Sequence, residues 1–250
     1  MQTFIAIIFF VYGLVLGSFY NVVGLRVPLR TFWKQKQSYC YTCKRTLSWT
    51  ELIPIISYLN QKGKCKGCGE PFSALYPIME FSTGVLFALS YLVFGLTLET
   101  AFSLVVVSMV IIITVSDIAY QKIPNKILLF FVPLVTLLVI SVSNISFLSA
   151  ITGAGLAFTL VFLIIVLSKG GMGMGDLKYF TLFGFIFGWK LFLLLFLLST
   201  IYGAIVNGVL LATNKVTRKT KVPFGPYIGA AALTVLFFGN QLLDLYLSLL

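Results

Sequence analysis

Two acidic residues in an otherwise greasy chain carry the first chemical signal. Asp176 follows the glycine-rich stretch Gly170-Gly-Met-Gly-Met-Gly175 and precedes Leu177-Lys178, while Asp117 ends an apolar run and leads into Ile118-Ala-Tyr120-Gln-Lys122-Ile-Pro124-Asn125. A carboxylate at the end of a membrane-crossing segment is costly unless it is solvated, paired or protonated, so each is a functional candidate. Two together can hydrolyse a peptide bond without a metal or a covalent intermediate: one, ionised, activates water while the other, protonated, polarises the carbonyl oxygen. Close carboxylates resist ionising together, so such a pair shares one proton near neutral pH. Gly173 and Gly175 suit this chemistry because glycine permits conformations and close substrate approach that a side chain would block. A phosphate-cradling loop would instead need Gly-Lys-Ser/Thr where this chain has Asp176. The plainer alternative is a pair of loop carboxylates solvated beside Lys122 and Lys178.

A second constellation is Cys40-Tyr-Thr-Cys43 and Cys65-Lys-Gly-Cys68, two Cys-x-x-Cys pairs 21 residues apart that hold all four cysteines of the chain. That spacing can present four thiolates tetrahedrally to zinc, and four cysteines leave no open coordination position, so the metal would be structural. The surrounding 26–73 segment has too little core to fold unaided, and metal would supply the missing stability. Lys44, Lys64 and Lys66 beside the cysteines favour thiolates. Two disulfides are the competing reading, disfavoured in a reducing compartment. Glu80, about a turn and a half into the apolar segment opened by Tyr76-Pro77, either contacts the cysteine loop or the acid site, or snorkels to water as an interfacial carboxylate.

The elements that must position these residues follow from composition. With 59% hydrophobic and 10% charged residues in 250, the chain departs from a soluble domain, which carries about 25% charged residues. Eight apolar runs, at about 3–25, 74–94, 100–116, 127–143, 147–167, 177–189, 191–212 and 224–248, are read as crossings of roughly 30 Å of hydrocarbon at about 1.5 Å per residue. The sixth is short, and its border with the seventh falls at Gly188-Trp189-Lys190. The expected fold is an all-α polytopic membrane protein with about eight transmembrane helices and one cytoplasmic zinc-binding loop domain, divided as an anchor at 1–25, the loop at 26–73 and a membrane-embedded domain at 74–250. The first run lacks the marks of a cleavable signal peptide and is expected to remain as an anchor. Gly17, Ser18 and Asn21 on it read as close helix packing.

Loops on one face of an eight-span arrangement carry 17 of the 18 Lys and Arg residues, which assigns that face to the cytoplasm and the N-terminus to the outside. Asp117 and Asp176 emerge on that same face, because the fourth and fifth spans go out and return between them. The formal charge of +11 therefore reflects topology and attraction to anionic lipid headgroups, with no nucleic-acid module pattern to suggest another partner.

Gly173-Met174-Gly175-Asp176 resembles the signature of GxGD-type membrane aspartyl proteases. Asp117 with Ile123-Pro124-Asn125, Asp176 with Lys178, the paired Cys-x-x-Cys, Leu52-Ile53-Pro54, Tyr76-Pro77-x-x-Glu80 and Gly17-Ser18-Phe19-x-Asn21-Val22 together resemble the type IV prepilin leader peptidases, in order, from about Gly13 to Pro226. The compact length and the Lys-Gly-Lys-Cys-Lys-Gly-Cys loop look most like the competence branch of Gram-positive bacteria. The resemblance implies removal of short basic leaders from prepilins or pseudopilins at the cytoplasmic face of the bacterial plasma membrane. Asp117 and Asp176 would be catalytic, with Gly173, Gly175, Lys178 and Glu80 shaping the site. It also implies, in many members, N-methylation of the new terminus with S-adenosylmethionine, for which the chain has no glycine-rich nucleotide fingerprint of its own. A proton-coupled transporter using the two carboxylates, or a zinc-loop scaffold of a secretion or competence machine, are the readings that residue chemistry alone leaves open.

Overall fold

A computed structural model describes the chain except residues 36, 143–145, 170, 218–219 and 249–250 and the side chain of Leu247. Lys36, Gly170, Arg218 and Lys219, part of the basic loops and the glycine run, thus lie outside the described residues. The described residues form helices and no strand, in two compact units, Met1–Thr100 and Ala101–Leu250.

Unit 1 pairs α1 (Gln2–Arg26) with α3 (Leu75–Phe94). The buried face of α1 is Gly13, Gly17, Tyr20, Asn21 and Gly24, a stripe at helical spacing. A Cβ at Gly13 would lie 2.6 Å from Gly84 Cα and one at Gly17 would lie 2.9 Å from Glu80 Cα, so the absence of side chains lets the two backbones touch. In lipid, where apolar burial does not drive helices together, such close van der Waals contact is the main cohesive term. Phe9 stacks on Tyr91 at 5.1 Å further along the pair. Between the helices the chain makes a 3-10 turn, Trp49–Leu52, and the short α2, Ile56–Asn60.

Unit 2 contains most of α4 (Leu98–Tyr120), with α5 (Asn125–Val142), α6 (Phe147–Leu167), α7 (Met174–Ala212) and α8 (Gly225–Ser248). Seven helices of the described chain are long and apolar enough to cross a membrane. One of them, α7, counts 39 residues, and a straight helix of that length would be about 58 Å long, nearly twice the hydrocarbon thickness. It is not straight. Gly188 has φ 70° and ψ 175°, a left-handed conformation open to glycine. The Phe180 ring lies 6.2 Å from Phe192 and 5.5 Å from Phe196, whereas residues 16 apart on one helix would be separated by about 24 Å. The chain therefore folds back at Gly188, giving limbs 174–187 and 189–212. The eight apolar segments read from the sequence are thereby accounted for.

The first limb of α7 packs on α6 through Gly153 and Gly184: a Cβ on either would collide with the other's carbonyl oxygen, and one on Gly184 would also lie 2.8 Å from Ala157 Cβ. Gly155, on the same helix, has open space. Gly184→Val should therefore lower the thermal unfolding midpoint of the detergent-purified protein, by an overpacking cost of about 1–3 kcal/mol. Gly155→Ala should leave it unchanged or raise it slightly.

Candidate active site

Asp117 occupies the last turn of α4, one turn further into the helix than the sequence suggested. Its residue is 5% exposed, and its Oδ2 accepts a hydrogen bond of 2.8 Å from the backbone N–H of Gly225, the first residue of α8. An N-terminal N–H has no partner within its own helix and carries the positive end of the helix dipole, so it suits a carboxylate. A Cβ on Gly225 would lie 2.7 Å from that oxygen, so glycine is what permits the approach. Gly225 was absent from the sequence-derived site. Its signal was Pro223-Phe-Gly225-Pro226 at the start of the last span, on the face where both acids emerge.

Asp176 lies in the first turn of α7, which begins inside the glycine run at Met174. Its Oδ2 accepts from the Gly173 N–H at 3.1 Å, closing the helix cap. Neither glycine of the motif needs an unusual φ: Gly173 is extended, at φ −79°, and Gly175 is helical. What they supply is room, since a Cβ on Gly175 would lie 3.0 Å from Ile123 Cβ and one on Gly173 would lie 3.2 Å from Asp176 Oδ2. Asp117 and Asp176 are close enough for their charges to act on one another. Around them, Lys178 Nζ donates to Asn125 Oδ1 at 2.9 Å, Gln121 Nε2 donates to the Lys221 carbonyl at 2.8 Å, and Ser116 Oγ donates to the Lys122 carbonyl at 2.7 Å. These bonds tie the α4–α5 turn to the start of α7 and the approach to α8. Lys178 is thus held by a neutral amide and forms no ion pair with either acid. Tyr179, fully buried one turn after Asp176, leaves its hydroxyl without a hydrogen-bond partner among the described residues.

Unit 1 holds the remaining sequence-derived residues. The Sγ atoms of Cys40, Cys43, Cys65 and Cys68 all lie within 4.8 Å of one another. Cys40–Cys68 and Cys43–Cys65 separations are 3.7 and 3.9 Å, near the edge of about 3.8 Å that a tetrahedron with Zn–S bonds of about 2.3 Å requires. They are far beyond a sulfur–sulfur bond of about 2.05 Å. The two cysteine pairs sit on matching turns. Cys40 N–H donates to the Arg45 carbonyl and Cys65 N–H to the Glu70 carbonyl, both at 2.9 Å. The fourth residue after each, Lys44 at φ 59° and Gly69 at φ 74°, is left-handed. Bridges Tyr39–Thr46 and Lys64–Pro71 close the two turns. These turns aim backbone N–H groups at sulfur. The Cys68 N–H, then Gly67 N–H and Arg45, lower the Cys65 thiol to about 6, and the Cys43 N–H lowers Cys40. The Glu70 N–H favours a Cys68 thiolate, but burial and the three neighbouring sulfurs outweigh it and push that thiol up to about 11. Four crowded sulfurs thus cannot all ionise without a cation among them. The cluster fits a metal ion of the zinc type.

Arg45 grips Glu51 through two bonds, at 3.0 and 2.7 Å, and extends Nη2 toward Cys65 Sγ at 3.9 Å. Glu80 contacts the cysteine loop: its Oε2 accepts from the Ile55 N–H at 2.8 Å. Ile55 has φ 60°, a conformation costly for a β-branched residue.

The sequence matches two family models: the bacterial peptidase A24 N-terminal domain over residues 11–94 and the type IV leader peptidase family over 104–208. A protein of Bacillus subtilis (strain 168) named prepilin leader peptidase/N-methyltransferase is 37% identical over 242 residues, covering 97% of this chain and 98% of the relative. The chain belongs to the type IV leader peptidase family. Relatives of the same printed name from Legionella pneumophila, at 30% identity over 95% of this chain and 92% of theirs, and Xanthomonas campestris, at 31% over 94% and 92%, are similar along nearly their whole length. No solved structure matches the chain. Type IV leader peptidases are an aspartic protease family; the first family model falls within unit 1, and the second covers residues 104–208 of unit 2, short of α8.

The Arg45 bonds hold the Glu51 carboxyl down to about 2, from an ordinary 4.5. A depressed carboxylate contributes stability that is complete above its unfolded value and is lost as pH falls through the folded one. The loop should therefore lose this contribution between about pH 4.5 and 2. Glu51→Gln should remove that acid limb from the unfolding profile of the loop, lowering its stability at neutral pH by on the order of 2 kcal/mol, the scale of charge-assisted hydrogen bonds.

Proposed function

We propose that this protein is a prepilin leader peptidase of the bacterial plasma membrane, with Asp117 and Asp176 as its catalytic pair. The observation that carries the reading is the convergence in unit 2 of two aspartates from separate helix ends, each accepting a backbone N–H, in a chain whose relatives bear that name. The ionised member of the pair takes a proton from water, whose oxygen forms a bond to the scissile carbonyl carbon. The protonated member gives its proton to the carbonyl oxygen, and collapse of the resulting diol breaks the C–N bond as the amine nitrogen is protonated. The Gly225 and Gly173 N–H groups keep each carboxylate oriented through the cycle. Gly173 and Gly175 leave space beside it for a substrate backbone. A substrate anchored by its own apolar helix presents the scissile bond at a shared depth, and this positioning contributes to the rate.

The basic loops support a cytoplasmic catalytic face and an outside N-terminus. The substrates are then prepilins or pseudopilins, anchored in the same lipid, whose short leaders lie on that face. Zinc held by Cys40, Cys43, Cys65 and Cys68 would fix the fold of the loop, with no coordination position left for catalysis. The N-methyltransferase in the relatives' names supports a second activity on the new N-terminus. S-adenosylmethionine would supply the methyl group there.

Asp117→Asn and Asp176→Asn should each reduce cleavage of a co-reconstituted tagged prepilin to background, at least a thousandfold, while the protein stays folded in the membrane; mass measurement of the product N-terminus reads cleavage and methylation together. Cleavage retained by either variant excludes the pair. Metal analysis of the purified protein should find one zinc per chain, lost when Cys40 or Cys65 is replaced by Ser. Undiminished metal in both variants would exclude the cluster as its ligand set.

A further inference from the structure

Unit 1 contains a partly open cavity of about 280 Å³ bounded by the end of α1, the start of α3 and the cysteine loop. That is close to the lower end of the roughly 300–1,000 Å³ range of small-molecule sites. Its walls carry polar groups that the fold leaves unsatisfied. Asn21 is 2% exposed; its Nδ2 donates to the Tyr76 carbonyl at 3.1 Å, but its Oδ1 meets no donor among the described residues. The Oε1 of Gln61, on the loop side of the same cavity, is likewise buried without a donor among the described residues. Buried polar groups are nearly always paired, so two orphaned acceptors in one cavity ask for a ligand with N–H groups.

Charge points the same way. Glu80 lines the cavity and accepts from the Ile55 N–H, yet it has no cation partner among the described residues, where the ion pair is Arg45–Glu51. Arg26, on the same lining, donates to the carbonyls of Gln35 and Gln37 and to Ser38 Oγ, all neutral. Among the described residues, an anion without a cation and a guanidinium without a carboxylate therefore share one cavity, with aromatic surface from Tyr58 and Phe72. The complementary ligand is a zwitterion with several N–H donors and a flat ring.

We propose that this cavity binds S-adenosylmethionine, Glu80 and the orphaned oxygens of Asn21 and Gln61 complementing its sulfonium, ammonium and amine groups, and Arg26 its carboxylate. The proposal rests on the methyl-transfer reading above and gives that activity a place in unit 1. Glu80 then has a role in recognising the methyl donor, and the strained Ile55 holds its carboxylate at the cavity wall. A cavity built for the free amine of a cleaved pilin would share the need for acceptors but not the need for a guanidinium.

The test is equilibrium dialysis of the purified full-length protein with S-adenosylmethionine and, separately, S-adenosylhomocysteine, which lacks the sulfonium charge. The parent should bind both. Glu80→Gln should weaken S-adenosylmethionine at least tenfold and S-adenosylhomocysteine by a smaller factor, Gln61→Ala should weaken both about threefold, and Asp176→Asn should bind as the parent does. Helix content by circular dichroism and metal content equal to the parent's exclude misfolding as the cause. If Glu80→Gln and Gln61→Ala both bind S-adenosylmethionine within twofold of the parent, the placement is overturned and the methyl-transfer reading survives. A parent that neither binds S-adenosylmethionine nor yields a methylated product overturns both. Binding of a short peptide amine but not of S-adenosylmethionine would reassign the cavity to the substrate.

Discussion

The hydrogen bond from the Gly225 N–H to the buried carboxylate of Asp117 is the interaction on which the architecture of unit 2 turns. Carboxylates among apolar helices find neither water nor mobile counterions, and the cheapest fixed donors are the unpaired N–H groups at helix starts. Asp117 uses the start of α8, and Asp176 uses the start of its own helix. Meeting that need requires α4 to end, and α7 and α8 to begin, at one level. The α4–α5 turn, bonded through Ser116, Gln121 and Asn125, secures it. The hairpin at Gly188 then lets the 39 residues of α7 return within one bilayer thickness and pack Phe192 and Phe196 back against Phe180, which also borders Phe224 just before α8.

Unit 1 meets the same constraint differently. Its polar load is carried by a loop too small to enclose it, so the load is tied to whatever donors exist: backbone N–H groups to the sulfurs, Arg45 to Glu51, and the Ile55 N–H to Glu80. The last of these accepts a left-handed isoleucine in return for a satisfied carboxylate on a membrane helix. Close approach of α1 and α3 along Gly13, Gly17 and Gly84 supplies the rigid base. Of the three buried polar atoms left unsatisfied among the described residues of unit 1, Asn21 Oδ1 and Gln61 Oε1 share one cavity, and Arg45 Nε does not line it.

Much of this was legible in order along the chain. Apolar runs and their breaks marked out the apolar segments because hydrocarbon thickness sets segment length; seven described helices are long and apolar enough to cross a membrane, and the border at Gly188-Trp189-Lys190 is where α7 folds back. Parity brought Asp117 and Asp176 to one face, since an out-and-back hairpin must return, and two Cys-x-x-Cys pairs in a loop without a core implied one tetrahedral cluster. The glycines of the 173–176 motif make room against Ile123 and Asp176, and their φ values are ordinary, so the room they leave, and not an unusual backbone conformation, is what these positions use. The α4 helix ran one turn past the expected end of the span because nothing before Gln121 breaks it.

The sequence by itself determined the composition-driven quantities: the class, the number of segments, the metal-type cluster and the pair of acids on one side. These depend on local patterns and on a solvent thickness that every span shares. Only the tertiary structure decided who satisfies whom. Gly225 donating across 108 positions to Asp117, Glu80 accepting from Ile55 across 25, and Lys178 choosing Asn125 over an acid are pairings between distant residues with several acceptable partners. No spacing rule selects among those; the backbone's exact approach does, because a hydrogen bond or a glycine contact is made or lost over a few tenths of an ångström.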